Sequence, residues 1–266
     1  MSIVVKGLSF SYDQRIVLNH IDFSAQKSQF LSILGPNGVG KSTLFRCILG
    51  LLNGYSGEIL LDGENIRKLS AGEMAKRIAY IPQIYYPSFN YSVFDMVLMG
   101  TTQQISVMSS PGKKQIQRAE QALQRLGIEH LRDRGFTKIS GGERQLTVIA
   151  RALAQDAHIL ILDEPTASLD FGNQIKVLTQ IKSLADEGYT VIQSTHNPDQ
   201  TFQFSDRVLI LKEGNVLAYG RPSEIISRQI IQELYDVEIE VMSLYQDAVR
   251  VCIPRSVIQN QSSDIR

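Results

Sequence analysis

The sequence predicts an α/β protein: a phosphate-binding core of parallel strands, an antiparallel β subdomain beside it and an α-helical subdomain inserted into it. Three observations predict that class. Gly35-Pro36-Asn37-Gly38-Val39-Gly40-Lys41-Ser42-Thr43 fits the phosphate-loop pattern G-x-x-x-x-G-K-[ST] at every fixed position, between an apolar strand, Phe30–Leu34, and a helical run, Leu44–Leu49. A second apolar run, Ile159–Leu162, ends in Asp163-Glu164. It reads as a buried parallel strand with its carboxylates at the C-terminal edge, where open α/β sheets bind ligands. Between these strands, from about Ser88 to Ala154, helical patterns replace strand patterns.

Taken in order, Ile3–Val5, Phe10–Tyr12 and Ile21–Ser24 read as strands, and Glu58–Gly63 as a hairpin strand ending in a turn. These form the antiparallel subdomain. In the phosphate loop the glycines let backbone N–H groups curl around phosphate oxygens, Lys41 adds a point charge and the Ser42 hydroxyl can ligate Mg²⁺. Ile78–Gln83 is a further strand with a stop. Helices are expected over Ser92–Met99, Lys113–Leu126 and Gly141–Ala154, with breaks at Pro87 and at Ser109-Ser110-Pro111-Gly112. Strand and helix alternation then resumes through Ile159–Leu162, a helix near Gln174–Ala185, Tyr189–Ser194, and Val208–Leu211 turning at Glu213-Gly214 into Val216–Tyr219. The tail holds a helical stretch, Pro222–Tyr235, and strand-like Val237–Val241 and Val249–Ile253. The expected division is 1–87, 88–155, 156–220 and a C-terminal extension, 221–266.

The bulk properties exclude several classes. A chain of 266 residues suits one large domain or a core with one lobe. Lys+Arg and Asp+Glu both total 27, so no strong global field draws it to nucleic acid or an anionic membrane surface. Met1–Val5 reads as a strand, so no secretory signal is expected, and the apolar runs are strand-sized rather than membrane-spanning. Cys47 and Cys252 have no metal-type spacing and are expected to be free thiols.

The span Ile139–Asp170 holds two chemical features. Ser140 reads as the N-cap of Gly141–Ala154, which alone explains a serine there. The glycines that follow are poor helix formers and make sense if a phosphate approaches the backbone closely. Glu164, after a buried strand and before Pro165, is the candidate general base for activating water. His196 follows the apolar strand Tyr189–Ser194 and should reach the same sheet edge.

Together these residues resemble the ATP-binding subunit of an ABC transporter, from the N-terminus to about Gly220. The resemblance implies a RecA-like P-loop NTPase core and binding of ATP and Mg²⁺. It implies that Tyr12 stacks on adenine and that Gly35–Thr43, the Walker A loop, wraps the phosphates. Gln83 of the Q-loop, Ser42 and Asp163 of Walker B would hold Mg²⁺; Glu164 would be the catalytic glutamate, acting with Lys41 and the switch residue His196. Ser140-Gly141-Gly142-Glu143, the signature, and Asp170 of the D-loop would meet the ATP of a partner subunit in a head-to-tail homodimer. The signature usually reads Leu-Ser-Gly-Gly-Gln. Here Glu143 puts a carboxylate at its end, and it is expected to point away while the backbone makes the contacts.

The stretch Tyr91–Gly100 resembles the segment that importers of iron chelates, haem, cobalamin and related metal species present to their permease, although Thr101-Thr102 stand where an arginine often follows. Leu234–Val241 resembles the end of those subunits. Tyr85, Tyr86, Phe89 and Tyr91 are expected to be exposed, as an interface with membrane-protein loops would need. The implied function is ATP hydrolysis powering import of iron chelates, another metal complex or an oxyanion such as molybdate. The implied partners are membrane permease subunits and, indirectly, a substrate-binding protein, with no nucleic acid; the implied location is peripheral, on the cytoplasmic face of the inner membrane. A soluble non-transport ABC ATPase, of the iron–sulfur assembly or repair type, is the alternative.

Overall fold

The computed structural model describes residues 1–83, 85, 89–104, 110–246 and 249–258. The expected break at Pro87, and with it Tyr86, lies outside them.

Strands β1 (Ile3–Tyr12) and β2 (Arg15–Ala25) pair antiparallel and, with β4 (Ser56–Leu61) and β5 (Glu64–Asn65), form a sheet in the order β2-β1-β4-β5. The two strands expected at Ile3–Val5 and Phe10–Tyr12 are therefore one. Register shifts between Val5 and Leu8 and between Leu8 and Phe10 interrupt its apolar alternation, which is why it read as two pieces.

The central sheet contains β3 (Phe30–Leu34), β6 (Ile78–Ile81), β7 (Ile159–Leu162), β8 (Thr190–Thr195), β9 (Arg207–Lys212) and β10 (Asn215–Gly220), in the order β10-β9-β3-β8-β7-β6. All neighbours are parallel except β10 on β9. Every residue of β3, β7 and β8 is buried, so these strands read as continuous rather than alternating apolar runs. Their side chains still divide by face. Ile159 and Ile161 join a core with Leu44, Phe45 and the antiparallel sheet, whereas Leu160 and Leu162 join one with the helices on the other side. Each fully buried Leu or Ile contributes on the order of 2 kcal/mol.

The helices are α1 (Lys41–Ile48), α2 (Ala71–Arg77), α3 (Val93–Leu98), α4 (Lys113–Arg125), α5 (Gly141–Ala154), α6 (Phe171–Asp186), α7 (Pro198–Phe204), α8 (Pro222–Ile225) and α9 (Arg228–Tyr235). A hairpin of β11 (Ile239–Leu244) and β12 (Val249–Pro254) follows, and a helical turn over 255–258 ends the described chain. Helix α5 has the expected bounds. Helices α2 and α7 were not expected, though each carries a start signal: a reciprocal capping box between Ser70 and Glu73, and Asn197 capping a first turn that contains Pro198. Helix α6 begins earlier than Gln174, because Asp170 caps it.

Two further expectations are corrected. The tail helix Pro222–Tyr235 is split. Ile226 is extended and buried against β9 and α9, and Ser227 then caps α9 through the Ile230 N–H. Tyr85 is not an exposed aromatic: it packs on the helical core, edge-on to Phe136, with the Arg151 guanidinium over its ring. Tyr91 is half-buried as well, while Phe89 is exposed.

Candidate nucleotide-binding site

Four neighbouring parallel strands, β3, β8, β7 and β6, end at one place and deliver the predicted residues there. The phosphate loop follows β3, His196 follows β8, Asp163 and Glu164 follow β7, and Gln83 lies just beyond β6. This is the C-terminal edge of the sheet, where open α/β sheets place their ligands.

The loop geometry requires glycine at position 40. Its φ is +108°, and a Cβ there would lie 2.9 Å from the Val17 carbonyl oxygen. Gly40 also leads into α1 without a side-chain cap, so the first amides of that helix and its dipole face the loop as an anion site. A hollow of about 280 Å³ lies between the loop residues Asn37, Gly38 and Gly40–Thr43, with Val17, Gln83 and Glu164 as its other walls.

Lys41 and Glu164 form the buried centre. The Lys41 Nζ donates to the carbonyl oxygens of Gly35 at 2.7 Å and Pro36 at 3.1 Å, and pairs with Glu164 Oε1 at 3.1 Å. The two side chains are only 5% and 9% exposed. The other carboxylate oxygen of Glu164 lies 3.4 Å from His196 Nδ1 and accepts from Gln83 Nε2 at 3.4 Å. Lys41, Glu164, His196 and Gln83 are thus one cluster.

Glu164 adopts φ +45°, the left-handed region that a non-glycine residue enters at a cost of about 1 kcal/mol or more. Ser194 supports it. The Ser194 hydroxyl accepts from the Glu164 N–H at 2.9 Å and donates to Asp163 Oδ1 at 2.6 Å, fixing both acidic residues. The other Asp163 oxygen accepts from the Tyr80 hydroxyl at 3.4 Å, and burial together with that carboxylate pushes the Tyr80 phenol up to about 12. Sequence reading missed Ser194, which is the second-last residue of β8 and lies two residues before His196.

Ser42, Gln83 and Asp163 offer a hydroxyl, an amide oxygen and a carboxylate. This hard-oxygen set fits Mg²⁺, which takes a few protein oxygens and completes its shell with water and phosphate. Among the described residues, no group of three or more His, Cys, Asp and Glu side chains could hold a metal without such help.

The structure does not bring every expected residue to this cluster. Tyr12 is 41% exposed, pairs with Arg15 across the hairpin and packs edge-on against Phe10. Arg15, Ile16 and Val17 instead wall a second hollow against Pro36–Val39 and Leu234. Ser140–Glu143 and Asp170 line neither hollow. Glu143 Oε2 accepts from the Ser140 N–H at 2.7 Å, while Ser140 Oγ accepts from the Glu143 N–H at 3.3 Å. The carboxylate is therefore turned onto its own helix start. The Ser140 backbone amide, followed by the Ser140 hydroxyl, holds it below the usual carboxylate range.

Gly142 has a packing reason beside the one expected. A Cβ there would lie 2.5 Å from Asn173 Oδ1, so packing between α5 and α6 already demands glycine. Asn173 is itself fixed, its backbone and side-chain N–H groups donating to Asp170 at 2.9 and 2.6 Å. Alanine favours a helix over glycine by about 1 kcal/mol, but overpacking costs about 1–3 kcal/mol. Gly142→Ala should therefore lower the melting temperature of the wild-type chain and raise that of an Asn173→Ala chain. Thermal unfolding of the four proteins checks this reversal of sign.

The chain is similar to known proteins over most of its length. The ABC transporter family matches residues 18–167. A Helicobacter pylori protein described as an iron chelatin transport ATP-binding protein is 38% identical over 244 residues, which are 91% of this chain and 96% of that protein. A petrobactin import ATP-binding protein of Bacillus anthracis is 32% identical over 240 residues, 90% of this chain and 88% of that one. Among solved structures, a chain of a metal-chelate type ABC transporter in an inward-facing conformation superposes with a TM-score of 0.85 at 32% identity, covering 96% of this chain and 99% of that chain.

Proposed function

This chain belongs to the ABC transporter ATP-binding family, and from that premise we propose that it is the ATP-hydrolysing subunit of an importer for iron chelates or another metal complex. The observation that carries the mechanism is the convergence of Lys41, Glu164 and His196 on one strand edge. An outer phosphate entering the loop competes for the Lys41 ammonium. As the ammonium turns to it, the Glu164 carboxylate is released to accept a proton from water, and His196 contacts the same phosphate. Mg²⁺, held by Ser42, Gln83 and Asp163, would supply charge neutralisation at the phosphates when bound. Tyr12, beside the second hollow's Arg15–Val17 wall, is the residue against which adenine would stack.

Ser140, Gly141 and Gly142 present backbone to the ATP of a second subunit in a head-to-tail dimer, with Asp170 at the same interface. Glu143, occupied in its capping box, supports a backbone-mediated contact. Segments 1–87, 88–155, 156–220 and 221–266 are the units we assign to the β subdomain with the first part of the core, the helical subdomain, the second part of the core and the extension. Among the described residues no helix is long and apolar enough to cross a membrane, which fits a peripheral subunit bound to separate permease chains. We place it on the cytoplasmic face, with a substrate-binding protein engaged through the permease. The import descriptions of its relatives weigh against a soluble, non-transport ATPase.

Affinity capture of the tagged full chain from its native membranes tests the reading. Recovery of a multi-span membrane protein, with Mg²⁺-dependent ATP hydrolysis that rises when a metal chelate and its binding protein are added, is expected. A soluble partner in place of the membrane protein would overturn it.

A further inference from the structure

We propose that the C-terminal extension is a clamp on the switch histidine, and that Tyr235 is a positioning residue for ATP hydrolysis, holding the backbone carbonyl of His196. The inference rests on the reading of His196 as a contact of the reacting phosphate.

Tyr235 is the last residue of α9, and Asp236 after it turns left-handed at φ +55°, ending the helix there. The Tyr235 hydroxyl donates to the His196 carbonyl oxygen at 2.8 Å. Its half-buried ring packs against the cluster formed by Leu34, Val208, Ile210 and the extension, so the donor is carried on a packed body rather than a free arm. Burial pushes the phenol well above its usual range, which keeps the O–H protonated at any working pH.

A second grip follows three residues on. Asp199, in the first turn of α7, accepts from the Cys252 backbone N–H of β12 at 2.8 Å. Strand β12 is tied through its hairpin to α9, where Arg228 pairs with Glu240 at 3.0 Å. The segment 196–199 is thus held at both ends by one module. The His196 side chain is half exposed and meets Glu164 only at 3.4 Å, so its own contacts fix it loosely. Its backbone is held by the Tyr235 hydroxyl instead. The residue before Tyr235, Leu234, walls the second hollow together with Pro36–Val39, so the end of α9 reaches both the phosphate-loop segment and His196. A shift of α9 would move His196 relative to Lys41, and the extension is placed to couple events at its own surface to hydrolysis.

The test uses the full chain with Tyr235→Phe, which keeps the ring and removes only the hydroxyl, alongside His196→Ala and the double variant. Losing one hydrogen bond should lower kcat by about fivefold while KM for MgATP stays within about twofold. The double variant should be no slower than His196→Ala alone, because Tyr235 acts through that residue. Backbone amides over 196–200 should exchange hydrogen faster in Tyr235→Phe, with the melting temperature little changed. Unchanged exchange there, or a Tyr235→Phe loss that adds fully to that of His196→Ala, would overturn the inference. A wild-type chain unable to hydrolyse ATP would count against the proposed function instead, and the exchange measurement would still decide the clamp.

Discussion

Glu164→Gln is expected to abolish most ATP hydrolysis while leaving ATP binding intact. Glutamine keeps the length and the hydrogen-bonding ends of the side chain, so its oxygen can still face Lys41, whose Nζ retains the Gly35 and Pro36 carbonyls in any case. What disappears is the negative charge and the proton-accepting oxygen. General-base catalysis is worth roughly a hundred- to ten-thousandfold, so turnover should fall at least about a hundredfold. Binding should not suffer. A carboxylate within 3.1 Å of the phosphate-loop lysine competes with an incoming anion for that charge, and the amide competes less. The variant should then accumulate with ATP bound and, if the head-to-tail dimer forms, as a dimer. Phosphate release, equilibrium binding of a fluorescent ATP analogue and size-exclusion chromatography with ATP read the three quantities. Near-normal turnover with intact binding would remove Glu164 from the role of base.

The parts of this site that were legible in the sequence share a physical cause. The phosphate loop, Ile159–Glu164 and His196 each lie at the end of a wholly buried parallel strand, and such strands announce themselves as unbroken apolar runs. Helix α5 was legible because it is amphipathic and capped by Ser140. What sequence could not supply is lateral: which strand neighbours which, and so which strand-end residues meet. The Ser194 bridge between Asp163 and Glu164 depends on β8 lying beside β7, and a serine in a strand gives no hint of it. The Gly142–Asn173 contact likewise joins two helices whose sequences say nothing about their approach. There the reading was also incomplete, since a glycine pair in a signature invites a ligand explanation when one of the pair answers to packing. The split at Ile226 failed for a third reason: a buried apolar residue in an extended bend has the same periodicity as one in a helix.

Lys41→Ala is expected to cost both function and stability, and the second cost separates the lysine's two roles. Losing the ammonium removes the point charge that neutralises the outer phosphates, so ATP affinity should fall at least about tenfold, the equivalent of about 1.4 kcal/mol. Without nucleotide the same change leaves the Glu164 carboxylate, 9% exposed, lacking its cation. His196 Nδ1 and Gln83 Nε2, both at 3.4 Å, are poor substitutes. Breaking a buried pair from one side costs about 3–5 kcal/mol, because a charge is left desolvated without compensation. At roughly 2–4 °C per kcal/mol for a chain of this size, the melting temperature should drop by about 6 °C or more. Adding Glu164→Gln to Lys41→Ala removes the stranded charge. The double variant should therefore recover most of the melting temperature while recovering neither ATP affinity nor hydrolysis. Calorimetry of the nucleotide-free proteins reads the stability, and titration with MgATP reads the affinity. Equal melting temperatures for Lys41→Ala and the double variant would mean that water reaches Glu164 freely, and that its contact with Lys41 contributes nothing to the fold.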